Sequence, residues 1–267
     1  MIALPRYASD VANPAEEKLP LTVAVIAHNA ASQIGPCLAS VGFAGEILVV
    51  DSGSTDGTAE VVRTHGGRLE THEWLGFGRQ KQHAVALASN DWVLCLDADE
   101  RVSERLAASI RAAFATRRYR AYRVARRNRF LGKWLAHGEG YPDWTLRLFH
   151  RASAGWSSDE VHEAVLTTAE VGRLDGDLLH DSAEDIATYV AKQNRYTSLH
   201  AQALYKQGVR ASPWRLIASP LARFVKFYIV RLGFLDGAAG FAHILIGCHA
   251  TFLKYLKLLK LHKASSA

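Results

Sequence analysis

The sequence is poor in cysteine and in long apolar runs, and each shortage excludes a class of protein. Its 267 residues include three cysteines, and their spacing matches neither a metal set nor a disulfide framework, so we expect a reducing compartment. Residues 1–20 lack the basic start and apolar centre of a signal peptide. No stretch reaches the roughly 18 apolar residues of a membrane-spanning helix, and the longest candidate, 241–253, contains His243 and His249. The chain is therefore expected to be soluble or to lie on a membrane without crossing it.

The charge balance narrows the choice of partner. The formal net charge is +6 and the isoelectric point is about 9.3, which favours nucleotides, phosphates or anionic lipid. No recognised nucleic-acid-binding motif accompanies this charge, so nucleic acid is not expected as a partner. Hydrophobic residues make up 49% of the chain, enough for the core of one large α/β domain, alone or with an extension.

Apolar runs and helical segments alternate through the first hundred residues. The runs at 21–29, 46–51 and 91–97 are typical of strands that are covered on both faces, and helical patterns around 32–41, 55–67 and 78–89 lie between them. This rhythm predicts a parallel sheet with helices on its faces. Residues 117–129 hold seven arginines around a short alternating core, and we expect either an exposed strand with a solvated basic edge or a functional basic strand.

Four polar residues come where the predicted strands end. Ligands of such sheets bind beyond the carboxyl ends of the strands, where Asn29, Asp51, Asp97 and Asp99 fall. Asp97 and Asp99 can face the same side of an extended chain, and carboxylates with substrate phosphates are the ligands that Mg²⁺ prefers. A helix–loop–helix calcium site is excluded because Gly53 stands third from Asp51, where an oxygen ligand is needed. HNAASQIG also lacks the glycine fingerprint of a dinucleotide fold.

Three stretches carry a resemblance to a known family. TVAVIAHNAASQIGPCLASV, EILVVDSGSTDGTAEVV and DWVLCLDADER resemble the nucleotide-sugar half of family 2 glycosyltransferases. RRNRFLGKWL, RLFHR, DEVHE, LLHDS, KQNRYT and GFLDGAAGF are similar to bacterial lipopolysaccharide core glucosyltransferases. The resemblance implies an α/β fold of the GT-A type, with a mostly parallel twisted sheet, helices on both faces and a C-terminal helical extension. We expect a polar lead-in at 1–19, a catalytic domain at 20–186 with a nucleotide-sugar half at 20–115 and an acceptor half at 116–186, and an amphipathic helical region at 187–267.

The resemblance also implies roles for residues on the donor side. Asp51 would bind the donor's base, Asp97 would lie near the ribose and the metal, and Asp99 would ligate Mg²⁺ or Mn²⁺ on the diphosphate of a UDP-sugar. Lys81 matches a basic position that approaches the nucleotide, and Asn29 keeps the family's asparagine although Ala27 and His28 depart from the family pattern. His180 would complete the metal shell or contact phosphate, or it has a structural role. Arg147 either neutralises phosphate or pairs with a nearby acid.

A glycosyl transfer also needs a base for the acceptor hydroxyl, apart from the metal ligands. Glu163 is the first candidate for this base by similarity to the Val-His-Glu motif, and Asp159 and Glu160 are the alternative bases. In the other interpretation, all three are solvated acids of a surface loop with no catalytic role. Trp134, Trp144 and Trp156 could stack on sugar rings or pack in the core.

The expected function is metal-dependent, inverting transfer of a hexose from a UDP-sugar to a lipopolysaccharide core or related lipid-linked saccharide. Glucose is the first candidate for the hexose. Basic segments at 221–235 and 252–263 either lie on the anionic cytoplasmic face of the inner membrane or pack on the catalytic domain. The rivals are a polyprenyl-phosphate glycosyltransferase, a nucleotidyltransferase, and a non-catalytic module that binds a nucleotide sugar or a membrane surface.

Overall fold

A computed structural model describes residues 17–157, 163–182, 185–210 and 212–264. A long twisted sheet of nine strands runs through residues 19–180. Six of its strands run in one direction, and the other three run against them. The predicted mostly parallel sheet is therefore confirmed.

The first part of the chain alternates strands and helices as predicted. Its elements are β1 (Leu19–Ala27), α1 (Ala31–Ala39), β2 (Ala44–Asp51), α2 (Thr58–Thr64), β3 (Arg68–Thr71), α3 (Phe77–Leu87) and β4 (Trp92–Asp97). Only β3 was not expected from the sequence, because RLET is short and half-buried. In the parallel register, β1 lies between β2 and β4, with Ala27 opposite Asp51 and Ile26 opposite Asp97. The carboxyl ends of these three strands therefore meet at one edge.

The second part extends the same sheet. Its elements are β5 (Glu100–Val102), α4 (Glu104–Thr116), β6 (Ala121–Phe130), β7 (Lys133–Trp134), β8 (Asp143–His150), β9 (Ala154–Trp156), β10 (Val165–Thr167) and β11 (Val171–His180). The strand order of the main sheet is β3-β2-β1-β4-β8-β6-β11-β5, with β7 paired to β6, and β5, β7 and β8 are the three strands that run against the others. β9 and β10 form a separate antiparallel pair. The expectation of an exposed strand with a solvated basic edge at 117–129 is wrong. β6 lies inside the sheet between β8 and β11, and its residues Ala121, Tyr122, Val124 and Ala125 are buried.

The core has a layer on each face of the sheet. On one face, α1, α2 and α4 contribute Ile34, Leu38, Val62, Leu106 and Ile110. On the other, α3 packs Ala84 and Val85 against β-strand residues that include Phe149. Cys37 and Cys95 are buried in these two layers, where they pack as small apolar side chains.

The end of the chain is helical. It contains α5 (Ile186–Lys206), α6 (Pro213–Phe224), a π-helix (Val225–Val230), a short 3₁₀-helix (Gly233–Asp236) and α7 (Gly237–Ala264). α7 packs against α5, α6 and the 3₁₀-helix and touches β6, so the helical region is joined to the sheet. The predicted C-terminal helical extension is confirmed.

Within the described residues, no single helix has the length and hydropathy that crossing a bilayer requires. Pro213–Val230 and Gly233–Lys263 meet that requirement only when taken together, and a 73° bend separates them.

Candidate active site

A cavity of about 1660 Å³ opens at the carboxyl edge of the sheet. Its wall includes seven of the predicted site residues and candidates, which reach it from α3, β4, β8, β11 and the connections next to β1, β4 and β10: Asn29, Lys81, Asp97, Asp99, Trp144, Glu163 and His180. These residues are spread over more than a hundred positions of the chain, and the fold brings them together at one cavity. On its far side the cavity reaches the C-terminal helical region, including Tyr189, Arg223 and Phe227.

Asp97 is held between two cations. Lys81 Nζ lies 2.9 Å from Asp97 Oδ1, and the guanidinium of Arg147 donates from Nη2 to Oδ2 at 3.0 Å. Although burial favours the neutral acid, these two cations hold the pKa of the Asp97 carboxyl well below its usual range. Of the two roles expected for Arg147, the structure therefore has the pairing with an acid. Because both carboxylate oxygens of Asp97 are engaged, Asp97 is a fixed negative charge at the rim.

Glu100 is a site residue that the sequence reasoning missed. Its side chain is fully buried, its Oε1 accepts from Arg147 Nη2 at 2.7 Å, and its Oε2 accepts from the backbone N–H of Asp97 at 3.0 Å. Arg126 Nη1 is 3.6 Å from the same Oε1. Burial raises the pKa of the Glu100 carboxyl. Glu100 thus holds Asp97 through the main chain and through Arg147. The sequence signal for this role was an acidic residue directly after Asp97-Ala98-Asp99.

Asp99 and His180 form a second pair on the cavity wall. β11 runs antiparallel to β5 with His180 opposite Glu100, and this register brings His180 Nε2 to 3.3 Å from Asp99 Oδ2. On its other side, the imidazole Nδ1 lies 2.8 Å from Asn128 Oδ1, an acceptor that fixes Nδ1 as the protonated nitrogen. Burial lowers the pKa of His180, and the hydrogen bond and charge of Asp99 outweigh it and raise the pKa.

This pair offers a carboxylate oxygen and an imidazole nitrogen to the same point, and such donors suit Mn²⁺ or Mg²⁺ with substrate oxygens. Among the described residues, no group of three His, Cys, Asp or Glu side chains is arranged to hold a metal by itself. The donor chemistry of Asp99 and His180 therefore fits a cation that is shared with a substrate's phosphates.

Asp51 and Asn29 brace the loop after β2. Asp51 is 5% exposed and accepts from the backbone N–H and the hydroxyl of Ser54, while its neighbour Ser52 lines the cavity. Asn29 has a left-handed backbone (φ +49°), donates its N–H to Ser54 Oγ at 2.8 Å and accepts from Thr55 N–H at 2.9 Å. Asp51 thus ends at the predicted edge, one layer behind the cavity wall, and base binding by Asp51 stays a prediction.

The acceptor-side candidates have different outcomes. Glu163 is half-buried and lines the cavity just before β10, whereas Asp159 and Glu160 lie outside the described residues. Trp144 is 41% exposed on the cavity wall, in a position to stack on a sugar. Trp156 instead packs beneath the cations, with Lys81 Nζ 4.7 Å from its ring centroid. Trp134 packs against Arg101 and Arg129.

Comparison with known proteins adds a family. The sequence profile described as "Glycosyl transferase family 2" matches residues 22–165. The chain is 31% identical over 253 residues to a protein of Rhizobium meliloti named lipopolysaccharide core biosynthesis glycosyltransferase LpsC, and the match covers 92% of this chain and 94% of LpsC. It is 32% identical over 250 residues to an uncharacterized glycosyltransferase of Rickettsia typhi, covering 89% and 86% of the two chains.

A solved structure shares the fold. The mannosyltransferase PcManGT of Pyrobaculum calidifontis, solved with GDP-Man and Mn²⁺, superposes with a TM-score of 0.52 at 17% identity, over 91% of this chain and 86% of PcManGT. The shared fold is the GT-A type that the sequence motifs predicted.

Proposed function

Because the chain belongs to glycosyl transferase family 2, we propose that it transfers a hexose from a UDP-sugar to a lipopolysaccharide core or related lipid-linked saccharide. Glucose is the first candidate for the hexose. The observation that carries this proposal is the single cavity wall on which Lys81, Asp97, Asp99, Glu163 and His180 meet. Such a wall has charges for a nucleotide diphosphate and, in Glu163, a further carboxylate for the acceptor.

On the donor side, we infer that Asp99 and His180 hold Mg²⁺ or Mn²⁺, with Asp97 beside them. The chemistry that this cation supplies when bound is stabilisation of the negative charge on the departing diphosphate. Asp97, pinned by Lys81 and Arg147, keeps the rim rigid and negative while the sugar is positioned. Its two cationic partners keep it ionised at any working pH, because they hold its pKa far below neutrality.

On the acceptor side, Glu163 is the proposed base. The acceptor hydroxyl oxygen forms a bond to the anomeric carbon, the bond from that carbon to the diphosphate oxygen breaks, and the hydroxyl proton passes to the Glu163 carboxylate. Attack opposite the leaving group inverts the configuration at that carbon. Asp159 and Glu160, in the preceding segment, are the alternative bases.

The acceptor class is supported by the relative and by charge. The name of LpsC assigns that protein to lipopolysaccharide core biosynthesis, and the basic C-terminal region of this chain suits an anionic bilayer. We therefore propose that the protein works at the cytoplasmic face of the inner membrane, on an acceptor carried by a lipid.

The donor is tested by a thermal-shift panel of UDP- and GDP-sugars with and without Mn²⁺, since a ligand that binds only the folded state raises its apparent stability. GDP-sugars belong in the panel because PcManGT was solved with GDP-Man. We expect stabilisation by a UDP-hexose that depends on the metal. No stabilisation by any nucleotide sugar, or equal stabilisation by nucleoside triphosphates, would contradict the proposal.

The base is tested with Glu163→Gln in a transfer assay on purified lipopolysaccharide acceptor. We expect transfer to fall at least a hundredfold while the thermal shift with donor is kept. Glu170→Gln, an exposed acid seven residues further on, is the matched control and should leave transfer unchanged. Full activity of the Glu163 variant would remove this residue from the role. Transfer to polyprenyl phosphate but not to the saccharide would select the rival acceptor.

A further inference from the structure

The helical segment Pro213–Asp236 presents an uncovered apolar surface to solvent. Trp214, Ile217, Leu221, Val225 and Ile229 are spaced by three or four residues, so they fall on one side of α6 and the π-helix, and we call them the apolar stripe. They are 70%, 65%, 60%, 40% and 53% exposed. α6, which is described throughout, has no buried residue at all. Isolated exposed apolar residues are ordinary, but a continuous row of this length marks a contact surface.

The bend after the π-helix prolongs this surface. Val230, Leu232, Phe234 and Leu235 are each between 45% and 70% exposed. The apolar area thus passes from the stripe around the turn that leads into α7. Arg215 and Lys226 are exposed beside it, so the surface has apolar side chains next to cations, which is the composition of a helix that lies in a bilayer interface.

The charge of the whole region selects the occupant. Residues 186–267 contain twelve lysines and arginines and one acid, Asp236, which is 3% exposed. Residues 1–185 contain twenty basic residues and twenty-five acids. The helical region is therefore strongly positive on a chain whose other part is negative. Anionic lipid is complementary to such a surface, whereas a second copy of the same surface would be repelled by it.

The stripe is mechanically tied to the catalytic cavity. From the opposite side of the same helices, Arg223, Phe227 and Arg231 line the cavity. Arg223 pairs with Glu139, and the Arg231 carbonyl accepts from Gly138 N–H at 2.9 Å. One face of the segment thus forms a cavity wall while the other is free, and any surface that takes up the stripe is set next to the cavity.

We propose that the apolar stripe and the adjoining bend are the docking surface for an anionic lipid bilayer, and that docking sets the cavity beside the headgroups. The segment lies in the interface with its apolar side chains among the acyl chains and its cations at the phosphates. The part of this inference that concerns the acceptor rests on the proposed function, because only a lipid-borne saccharide gains from a cavity that opens at the bilayer.

The test is flotation of the full-length protein with vesicles of phosphatidylcholine alone or with 30% phosphatidylglycerol, at low and high salt. We expect binding to the anionic vesicles that weakens with salt. Trp214→Ser/Ile217→Asn/Leu221→Asn should lower vesicle affinity at least tenfold. Leu166→Asn removes an apolar side chain that is 62% exposed on β10, and it should bind as the unaltered protein does. None of the three stripe positions lines the cavity wall described above, so transfer to a short water-soluble acceptor should persist in the triple variant.

A second measurement locates the surface without relying on the triple variant. Vesicles with brominated acyl chains should quench the fluorescence of the unaltered protein more than that of Trp214→Phe. Failure to bind anionic vesicles, equal binding to neutral ones, equal binding by the triple variant, or a self-association that the triple variant abolishes would each overturn the proposal. If donor stabilisation and soluble transfer persist without vesicle binding, docking alone has failed. If the protein binds vesicles but no nucleotide sugar stabilises it, the proposed function alone has failed.

Discussion

Replacing Arg147 with Met tests how the rim of the cavity is held. Arg147 is 3% exposed and its Nη2 lies between the carboxylates of Asp97 and Glu100, at 3.0 and 2.7 Å. Methionine has a similar length and no charge. In the variant, Asp97 keeps Lys81 as a partner. Glu100, which is fully buried, keeps its hydrogen bond from the Asp97 N–H, but the cation paired with it is then the more distant Arg126 at 3.6 Å.

The expected loss is large because the buried Glu100 carboxylate loses its closest cationic partner. Removing one member of a buried ion pair costs about 3–5 kcal/mol of unfolding free energy. Arg147 Nε and Nη1 are buried without hydrogen-bond partners among the described residues, and Met removes these two costly groups, so we expect the lower half of that range. The loss should grow with pH. The pKa of Glu100 is already raised by burial, and it rises further without Arg147, so at low pH a proton replaces the missing cation.

The measurement is urea unfolding at pH 5.5 and pH 8, with three variants. Arg147→Met should be less destabilised at pH 5.5 than at pH 8. The double variant with Glu100→Gln should recover part of the loss at pH 8, since no buried charge is then left uncompensated. Arg63→Met removes a cation from an exposed pair with Glu60, and should stay within the ~1 kcal/mol of such pairs. A loss below about 1 kcal/mol for Arg147→Met at pH 8, or the opposite pH trend, would refute this account of the rim.

Three further predictions concern other parts of the chain. Asp99→Asn should abolish the part of the donor-induced thermal shift that depends on Mn²⁺; an unchanged metal effect would exclude Asp99 as a ligand. Burial lowers the pKa of His243 from 6.5 to about 4, so as the pH drops the unfolded chain takes up this proton before the folded protein does. The free energy of unfolding should therefore fall as the pH drops from 6.5 to 4. This fall should be smaller in His243→Phe, when both proteins are measured by urea unfolding across this pH range. Gly176→Ala should lose more than about 1 kcal/mol, because Gly176 has φ +93° and a Cβ would lie 2.3 Å from the backbone nitrogen of Leu106; Gly53→Ala, with φ +82° and open space, should lose less in the same assay.

The fold of the first hundred residues was predictable because local pattern and global fold agree there. The runs that became β1, β2 and β4 are buried on both faces and lie side by side in parallel register, so their final residues meet at one edge. The gathering of Asp97, Asp99 and Lys81 follows from that geometry.

The partners of these residues were less accessible to sequence reasoning. Glu100 and Arg147 are 47 positions apart, and their contact depends on β8 pairing antiparallel to β4. The local sequence pattern of either strand does not predict this pairing. The arginine-rich stretch was open to misreading for a related reason. β6 alternates charged and apolar residues like an edge strand, yet its arginines find acids on neighbouring elements, such as Asp143 for Arg126 and Asp181 for Arg129.

The buried Asp236 has a practical consequence for handling the protein. Its carboxylate accepts from the backbone N–H groups of Ala136 and His137, and its carbonyl accepts from Lys133 Nζ. Truncating the chain before this residue, in order to remove the exposed apolar helices, would leave these donors without their acceptor. It would also remove the contacts that hold one wall of the cavity. Better-behaved preparations should come from swapping exposed side chains such as Ile217 for polar ones, with every residue of the backbone retained.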